Sequence, residues 1–231
     1  MILKYIYHSG FYIEIENSII IFDYYKGEIP DIDRNKKLYI FSSHSHNDHY
    51  NKNIFNIFKD FDATFILSDD IKVGNIENRE KSIFVSPDKE YQIGDLLVET
   101  LESTDEGVAF IVKAENKTIY HSGDLNWWTW YGFESEEEYE SMTERFKKEI
   151  AKIEGMEIDL AMMVLDYRQK ERYDWGMTYL LEKTKVKYVA PMHCWDRYEV
   201  IDRFKKDHKS LLKDTVVIDT NKIKNTGFEI E

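Results

Sequence analysis

Cys194 is the only cysteine in this 231-residue chain, so no internal disulfide framework holds it together, and a reducing compartment suits it. Proline is almost as scarce, with three residues, which leaves long stretches free for regular structure. No apolar run approaches the roughly 20 residues that would cross a bilayer. The opening Met1-Ile2-Leu3-Lys4-Tyr5-Ile6-Tyr7-His8 lacks the basic start and long apolar centre of a signal peptide, so a cytoplasmic protein without a membrane partner is expected. Positive charge is short as well: 31 Lys and Arg stand against 44 Asp and Glu, a formal net charge of −13. Phosphate neutralisation needs a basic surface, so nucleic acid is not an expected partner. An anionic small-molecule substrate stays open, because a bound dication reverses the local field.

What the chain does hold is material for a core, with 42% hydrophobic and 15% aromatic residues. A single core serves until roughly 250–300 residues, and neither a linker nor a low-complexity tract interrupts the sequence. Residues 1–231 are expected to form one domain. Strands are expected at Ile2 to Tyr7, Phe11 to Glu16, Ser18 to Phe22 and Leu38 to Phe41, then a helix from about Asn53 to Asp60 and strands at Ala63 to Leu67 and Ser82 to Val85. A meander follows over Leu96 to Leu101, Val108 to Ala114 and Lys117 to Tyr120. Apolar residues three and four apart predict a helix over Glu136 to Glu154. Beyond it come strands at Ile158 to Leu165, Val186 to Ala190 and Thr215 to Ile218, with helices at Met177 to Lys183 and Arg197 to Asp207.

The densest chemistry lies in Phe41-Ser42-Ser43-His44-Ser45-His46-Asn47-Asp48-His49-Tyr50. Imidazole nitrogen and carboxylate oxygen are the donors that borderline-soft divalent metals take. His44 and His46 leave a buried strand with alternate residues facing one way. Asp48 and His49 sit at a helix start and approach from a second direction. Three histidines and an aspartate at this density predict a metal site.

The pattern His44-x-His46-x-Asp48-His49 after an apolar strand resembles the signature of the metallo-β-lactamase superfamily. The resemblance implies an α/β four-layer αββα sandwich of two mixed β-sheets flanked by helices, and Asp23 as a brace for the histidine loop. Tyr7-His8-Ser9-Gly10-Phe11 is similar to the opening of the UlaG-like branch, lactonases acting on ascorbate phosphate; His8 is open between a site residue and a packed turn residue. By the same resemblance Asp124, in Ser122-Gly123-Asp124 after a strand, bridges two metals, and His193 closes the site from the end of the strand at Val186. Asp48, His49, Asp124 and His193 would make one site, and His44 and His46 would begin the other.

That second site expects a third histidine before Val108, and Leu101-Glu102-Ser103-Thr104-Asp105-Glu106-Gly107 has none. Either Asp105 supplies a carboxylate in its place or a single metal is held tightly. Trp127, among the aromatics after Asp124, and Trp195, after His193, are expected to line a pocket for an apolar or ring-bearing substrate. Arg168 is expected there as a clamp for a carboxylate or phosphate, or as the fixed partner of Asp166.

The function this predicts is a metal-dependent hydrolase. One or two zinc ions, with manganese or iron as the other options, would bring the pKa of a bound water toward neutrality and so supply hydroxide to an ester, lactone or phosphodiester bond. Asp48 and Asp124 would orient that water or carry its proton. Two other readings stand beside it: an iron-dependent oxidoreductase on the same scaffold, and a degenerate binding protein without turnover.

Overall fold

Uninterrupted apolar runs such as Ser18–Phe22 bury both faces of a strand, which places them at the centre of a sheet covered on two sides. In the computed structural model, which describes residues 1–224 and 226–231, these runs form the middle of two sheets. The first is built from β1 (Ile2–Tyr7), β2 (Gly10–Glu14), β3 (Ser18–Phe22), β4 (Lys37–Ser42), β5 (Ala63–Ser68) and β6 (Ser82–Val85), with helices α1 (Ile54–Ile57) and α2 (Ile76–Glu80) in the later connections. The second is built from β7 (Glu90–Ile93), β8 (Leu96–Glu102), β9 (Val108–Ala114), β10 (Lys117–His121), β11 (Glu157–Val164), β12 (Lys185–Met192) and β13 (Val216–Val217). Between these strands lie α3 (Glu136–Ala151), α4 (Trp175–Lys183) and α5 (Glu199–Asp207), and β14 (Phe228–Glu229) returns to the first sheet.

Strand order is β14-β1-β2-β3-β4-β5-β6 in one sheet and β13-β12-β11-β10-β9-β8-β7 in the other. In the first, β1 to β3 pair antiparallel and β3 to β6 parallel. The second repeats the scheme, antiparallel from β7 to β10 and parallel from β10 to β13. Both sheets are therefore mixed. Their inner faces share one core of residues such as Phe22, Phe41, Phe110 and Met162. Outside the second sheet, Phe146, Ile150, Leu180 and Phe204 of α3, α4 and α5 cover it; outside the first, Ile54, Phe55 and Phe58 do. Helix, sheet, sheet, helix are the four expected layers. Among the described residues no helix is long and apolar enough to cross a membrane.

Three local expectations change. The helix expected from Asn53 to Asp60 contracts to the four residues of α1, because burying Ile54, Phe55 and Phe58 needs only one turn. The polar stretch before β6 folds as α2, with the Asn75 side chain accepting from Asn78 N–H as its cap and no residue buried; without an apolar face it leaves no periodicity to read. The short edge strands β7 and β14 were also outside the expected set. In α3, by contrast, Ser135 and Glu138 form a reciprocal capping box that fixes its start.

Candidate metal centre

The parallel strands of both sheets point their C-terminal ends to one edge of the sandwich, and the polar residues that follow each strand meet there. Asp23 follows β3, the His44 loop β4, Asp124 β10, Asp166 β11 and His193 β12. The backbone is bent sharply at several of these places: His8, Asp23, His193 and Trp195 all have positive φ, at 57°, 43°, 63° and 49°. Side chains other than glycine pay on the order of 1–3 kcal/mol for that region, and such strain gathers where a side chain must be aimed.

Gly123 also has positive φ, 49°. A Cβ there would stand 2.7 Å from the Val108 carbonyl oxygen and 2.8 Å from the Ser43 Cβ, so the turn that delivers Asp124 has room only for glycine. Gly107 is tighter still, with its Cβ position 2.0 Å from the Ser43 carbonyl oxygen. The loop lacking the third histidine is thus pressed against the His44 loop.

Two donor groups form. His8, Asp48, His49 and His193 each offer one atom within 4.8 Å of the others, and His44, His46 and Asp124 do the same. Asp124 joins them: its Oδ1 lies 3.3 Å from His49 Nε2 and 3.7 Å from His193 Nε2, and its Oδ2 lies 3.7 Å from His44 Nε2. The sequence positions His44, His46, Asp48, His49, Asp124 and His193 therefore come together. His8, which the sequence left open, stands among them, its Nε2 3.4 Å from Asp48 Oδ2.

The ring orientations follow from the hydrogen bonds on the opposite nitrogens. Asp23, fully buried, accepts from Ser43 N–H at 2.7 Å, from the Ser43 hydroxyl at 2.6 Å and from His49 Nδ1 at 2.7 Å. The Ser43 hydroxyl proton being committed to Asp23, its oxygen accepts from His44 Nδ1 at 2.9 Å. Asp166 accepts from His193 Nδ1 at 2.9 Å and from Trp195 Nε1 at 3.2 Å. Trp195 Nε1 is equally near His193 Nδ1, but that nitrogen already carries a proton, so the indole donates to Asp166. His44, His49 and His193 consequently all turn Nε2 into the site, the orientation that an acceptor behind each imidazole enforces, Ser43 for His44 and a carboxylate for the other two.

Charge points the same way. Burial would raise the Asp23 carboxyl, but the hydrogen bond and charge of His49 outweigh it and hold it at about 2. The His8 imidazole holds Asp48 well below the carboxylate range. Burial pushes His8 and His44 down to about 4. His49 is also buried, yet Asp124 and Asp23 carry it up to about 9. Ionised carboxylates beside His8 and His44, which burial keeps neutral, and beside His49, which they draw toward a proton, call for a cation. The orphaned atoms make the test specific: His8 Nε2, His49 Nε2 and Asp124 Oδ1 are buried without a hydrogen-bond partner among the described residues, a costly state for polar groups. Nitrogen and oxygen donors converging in this way fit a divalent metal.

Above the donors opens a cavity of about 880 Å³ lined by His46, Asp48, Asp124 and His193 on its floor and by Trp128, Trp130, Arg168 and Trp195 on its walls. Asp105 lies at the rim, Oδ2 3.9 Å from His46 Nδ1, outside both close groups. Arg168 grips Asp166 through Nε as well as its terminal nitrogen and stacks over Trp195 with 4.5 Å to the ring centroid. The fixed-partner reading of Arg168 holds, and its clamp role is reduced to whatever donors remain.

Trp127 is not in the wall. Its indole donates to Thr143 Oγ1 at 2.9 Å and stacks on Phe146 with centroids 5.8 Å apart, inside the helical layer. Along this extended segment alternate side chains face opposite ways, so Trp128 and Trp130 take the cavity side, parallel to within 8°, while Trp127 and Thr129 face the core.

The sequence itself decides the family. Residues 2–129 match the β-lactamase superfamily domain, and a UPF0173 metal-dependent hydrolase of Nanoarchaeum equitans is 31% identical over 84% of this chain and 83% of its own length. The chain belongs to the β-lactamase superfamily. Among solved relatives of this superfamily member, Igni18, a metallo hydrolase of Ignicoccus hospitalis, superposes with a TM-score of 0.65 at 18% identity over 100% of this chain and 99% of its own. CmlA, a diiron β-hydroxylase of Streptomyces venezuelae, gives 0.60 at 11% identity over 94% of this chain and 52% of its own. Both likenesses are of fold.

Proposed function

We propose that this protein is a metal-dependent hydrolase that cleaves an ester, lactone or phosphodiester bond in a small substrate. The observation that carries the reading is the pair of donor groups joined by Asp124 on the floor of a cavity, with buried donor atoms that no group among the described residues satisfies. His8, Asp48, His49 and His193 would hold one ion, His44, His46 and Asp124 a second, with Glu106 and Asp105 as further carboxylates near His46. Zinc suits the nitrogen-rich donor set; when bound, such an ion lowers the pKa of a coordinated water and polarises the bond under attack.

The remaining work falls to side chains. Asp48 and Asp124 accept hydrogen bonds from the attacking water and orient it. Asp105 lies on the cavity rim, and burial together with the Asp124 charge raises its carboxyl above the ordinary range, which fits a proton acceptor. Trp128 and Trp130 offer a flat apolar wall to a planar part of the substrate, and Trp195 with Arg168 over its ring adds to the lining. The Nanoarchaeum equitans relative is itself named a metal-dependent hydrolase, which supports this reading.

Elemental analysis of protein purified without chelator, followed by ester, lactone and phosphodiester screens, tests it. One or two zinc or manganese ions per chain with turnover of one of these bonds is the expected result. Iron with an oxygen-dependent reaction would replace the hydrolase by an oxidoreductase, and a metal-free protein that binds ligands without turnover would replace it by a binding protein.

A further inference from the structure

His121 is a buried histidine that the proposed chemistry does not use. It ends β10, is fully enclosed, and lies flat against Phe22 with ring centroids 4.8 Å apart and planes within 9°. A polar ring among aromatics is unfavourable unless both nitrogens are satisfied, and here both are. Nε2 lies 2.9 Å from the Ser9 carbonyl oxygen, and Nδ1 lies 3.1 Å from Gly123 N–H. Both partners are backbone groups of fixed character: a carbonyl only accepts and an amide N–H only donates. Nδ1 is therefore the bare nitrogen, Nε2 carries the proton, and the 3.9 Å approach of Nδ1 to Asp23 Oδ2 is not an ion pair.

Those two backbone groups belong to the two turns that deliver donors from opposite sheets. Ser9 follows His8 in the β1–β2 turn of the first sheet, and Gly123 precedes Asp124 after β10 of the second. Each turn is otherwise strained, with φ of 57° at His8 and 49° at Gly123. A further backbone bond, His193 N–H to the His8 carbonyl at 3.2 Å, also ties the His8 turn to the second sheet. We propose that His121 is a positioning residue of the metal centre: one hydrogen bond at each ring nitrogen locks the turn carrying His8 to the turn carrying Asp124. The two donor groups are then held at a set separation across the junction of the sheets.

The proposal rests on the metal-centre reading, and Co2+ titration of the metal-free protein tests both separately. His121→Phe keeps the stacked ring and loses both hydrogen bonds; Co2+ affinity should fall on the order of tenfold to a hundredfold, as when a ligand's support is removed, and the visible Co2+ bands should shift. His121→Gln, with one donor and one acceptor, should recover most of the loss. Ile158→Val, in the core behind the second sheet, supplies a control that loses thermal stability and keeps wild-type Co2+ affinity. Wild-type affinity and bands in His121→Phe would overturn the proposal, as would an equal loss in Ile158→Val. Should His121→Phe not fold, His121→Asn, whose shorter amide retains an acceptor for Gly123 N–H and loses Ser9, carries the same test: weakened binding is expected, and unchanged binding refutes the role. A wild-type protein that takes up no Co2+ would remove the metal centre itself.

Discussion

Asp166→Asn isolates the support of one ligand without touching the donor set. The carboxylate is fully buried and accepts from His193 Nδ1 at 2.9 Å, Trp195 Nε1 at 3.2 Å, and Arg168 backbone N–H and Nε, both at 2.9 Å. An asparagine presents one oxygen and one NH2, so either His193 or Arg168 meets a donor where it had an acceptor. Breaking a fully buried ion pair costs about 3–5 kcal/mol. The Arg168 side chain is 40% exposed, and water takes up part of its charge, which reduces the cost to about 2 kcal/mol. For a chain of this size that is a drop of roughly 4–8 °C in the midpoint of the metal-free protein. The second effect is on binding: His193 loses the partner that fixes its Nδ1 proton and its aim, which predicts about 10- to 100-fold weaker Zn2+ binding. Thermal unfolding of the metal-free protein and Zn2+ competition against a chromogenic chelator read the two separately. A lower midpoint with unchanged Zn2+ affinity would leave Asp166 as a partner for Arg168 alone, and a midpoint within a degree of wild type would refute the burial argument.

The other ligand assignments make narrower predictions. Asp124→Asn, placed between the two donor groups, should lower metal content by about one equivalent or weaken it tenfold or more; full retention by elemental analysis would remove it as the bridge. His8→Ala should weaken the group formed with Asp48, His49 and His193 by a similar factor, and a metal affinity equal to wild type would return His8 to a packed turn residue. Asp105→Asn should keep the metal content and lower kcat at least tenfold, whereas loss of an ion would make Asp105 a ligand and not a proton acceptor. In the metal-free protein Asp23 and Asp166 are both held at about 2, against about 3.9 in an unfolded chain. Their contribution is full above the unfolded value and drains as pH falls from about 5 toward 2; denaturant titrations across that window should show a shallower loss in Asp166→Asn, and parallel curves would contradict the depressed carboxyls.

The four-layer fold and six of the donor residues were legible because their signals are local. Apolar strands end in polar residues, and His44 to His49 packs three imidazoles and a carboxylate into six positions. What escaped depends on contacts distant in the chain. Asp166 looked like the local partner of Arg168, and it is, but its second role comes from His193, 27 positions further on. The one clue was parity with Asp23, since each is an aspartate that follows a central strand and holds the Nδ1 of a ligand histidine. Trp127 was misassigned for a simpler reason: adjacent tryptophans in an extended segment face opposite sides, and the sequence does not say which side is the cavity. The donor missing before Val108 also has a spatial answer. Gly107 sits hard against Ser43 and His44, so the loop turns away at the rim, and the carboxylate that completes the His44 group is Asp124, supplied by the next strand pair. A site assembled at the junction of two sheets is thus read from sequence only as far as each half carries its own marks. The joints that pass between distant stretches, the hold of Asp166 on His193 and the His121 link from Ser9 to Gly123, emerge only when the sheets are stacked.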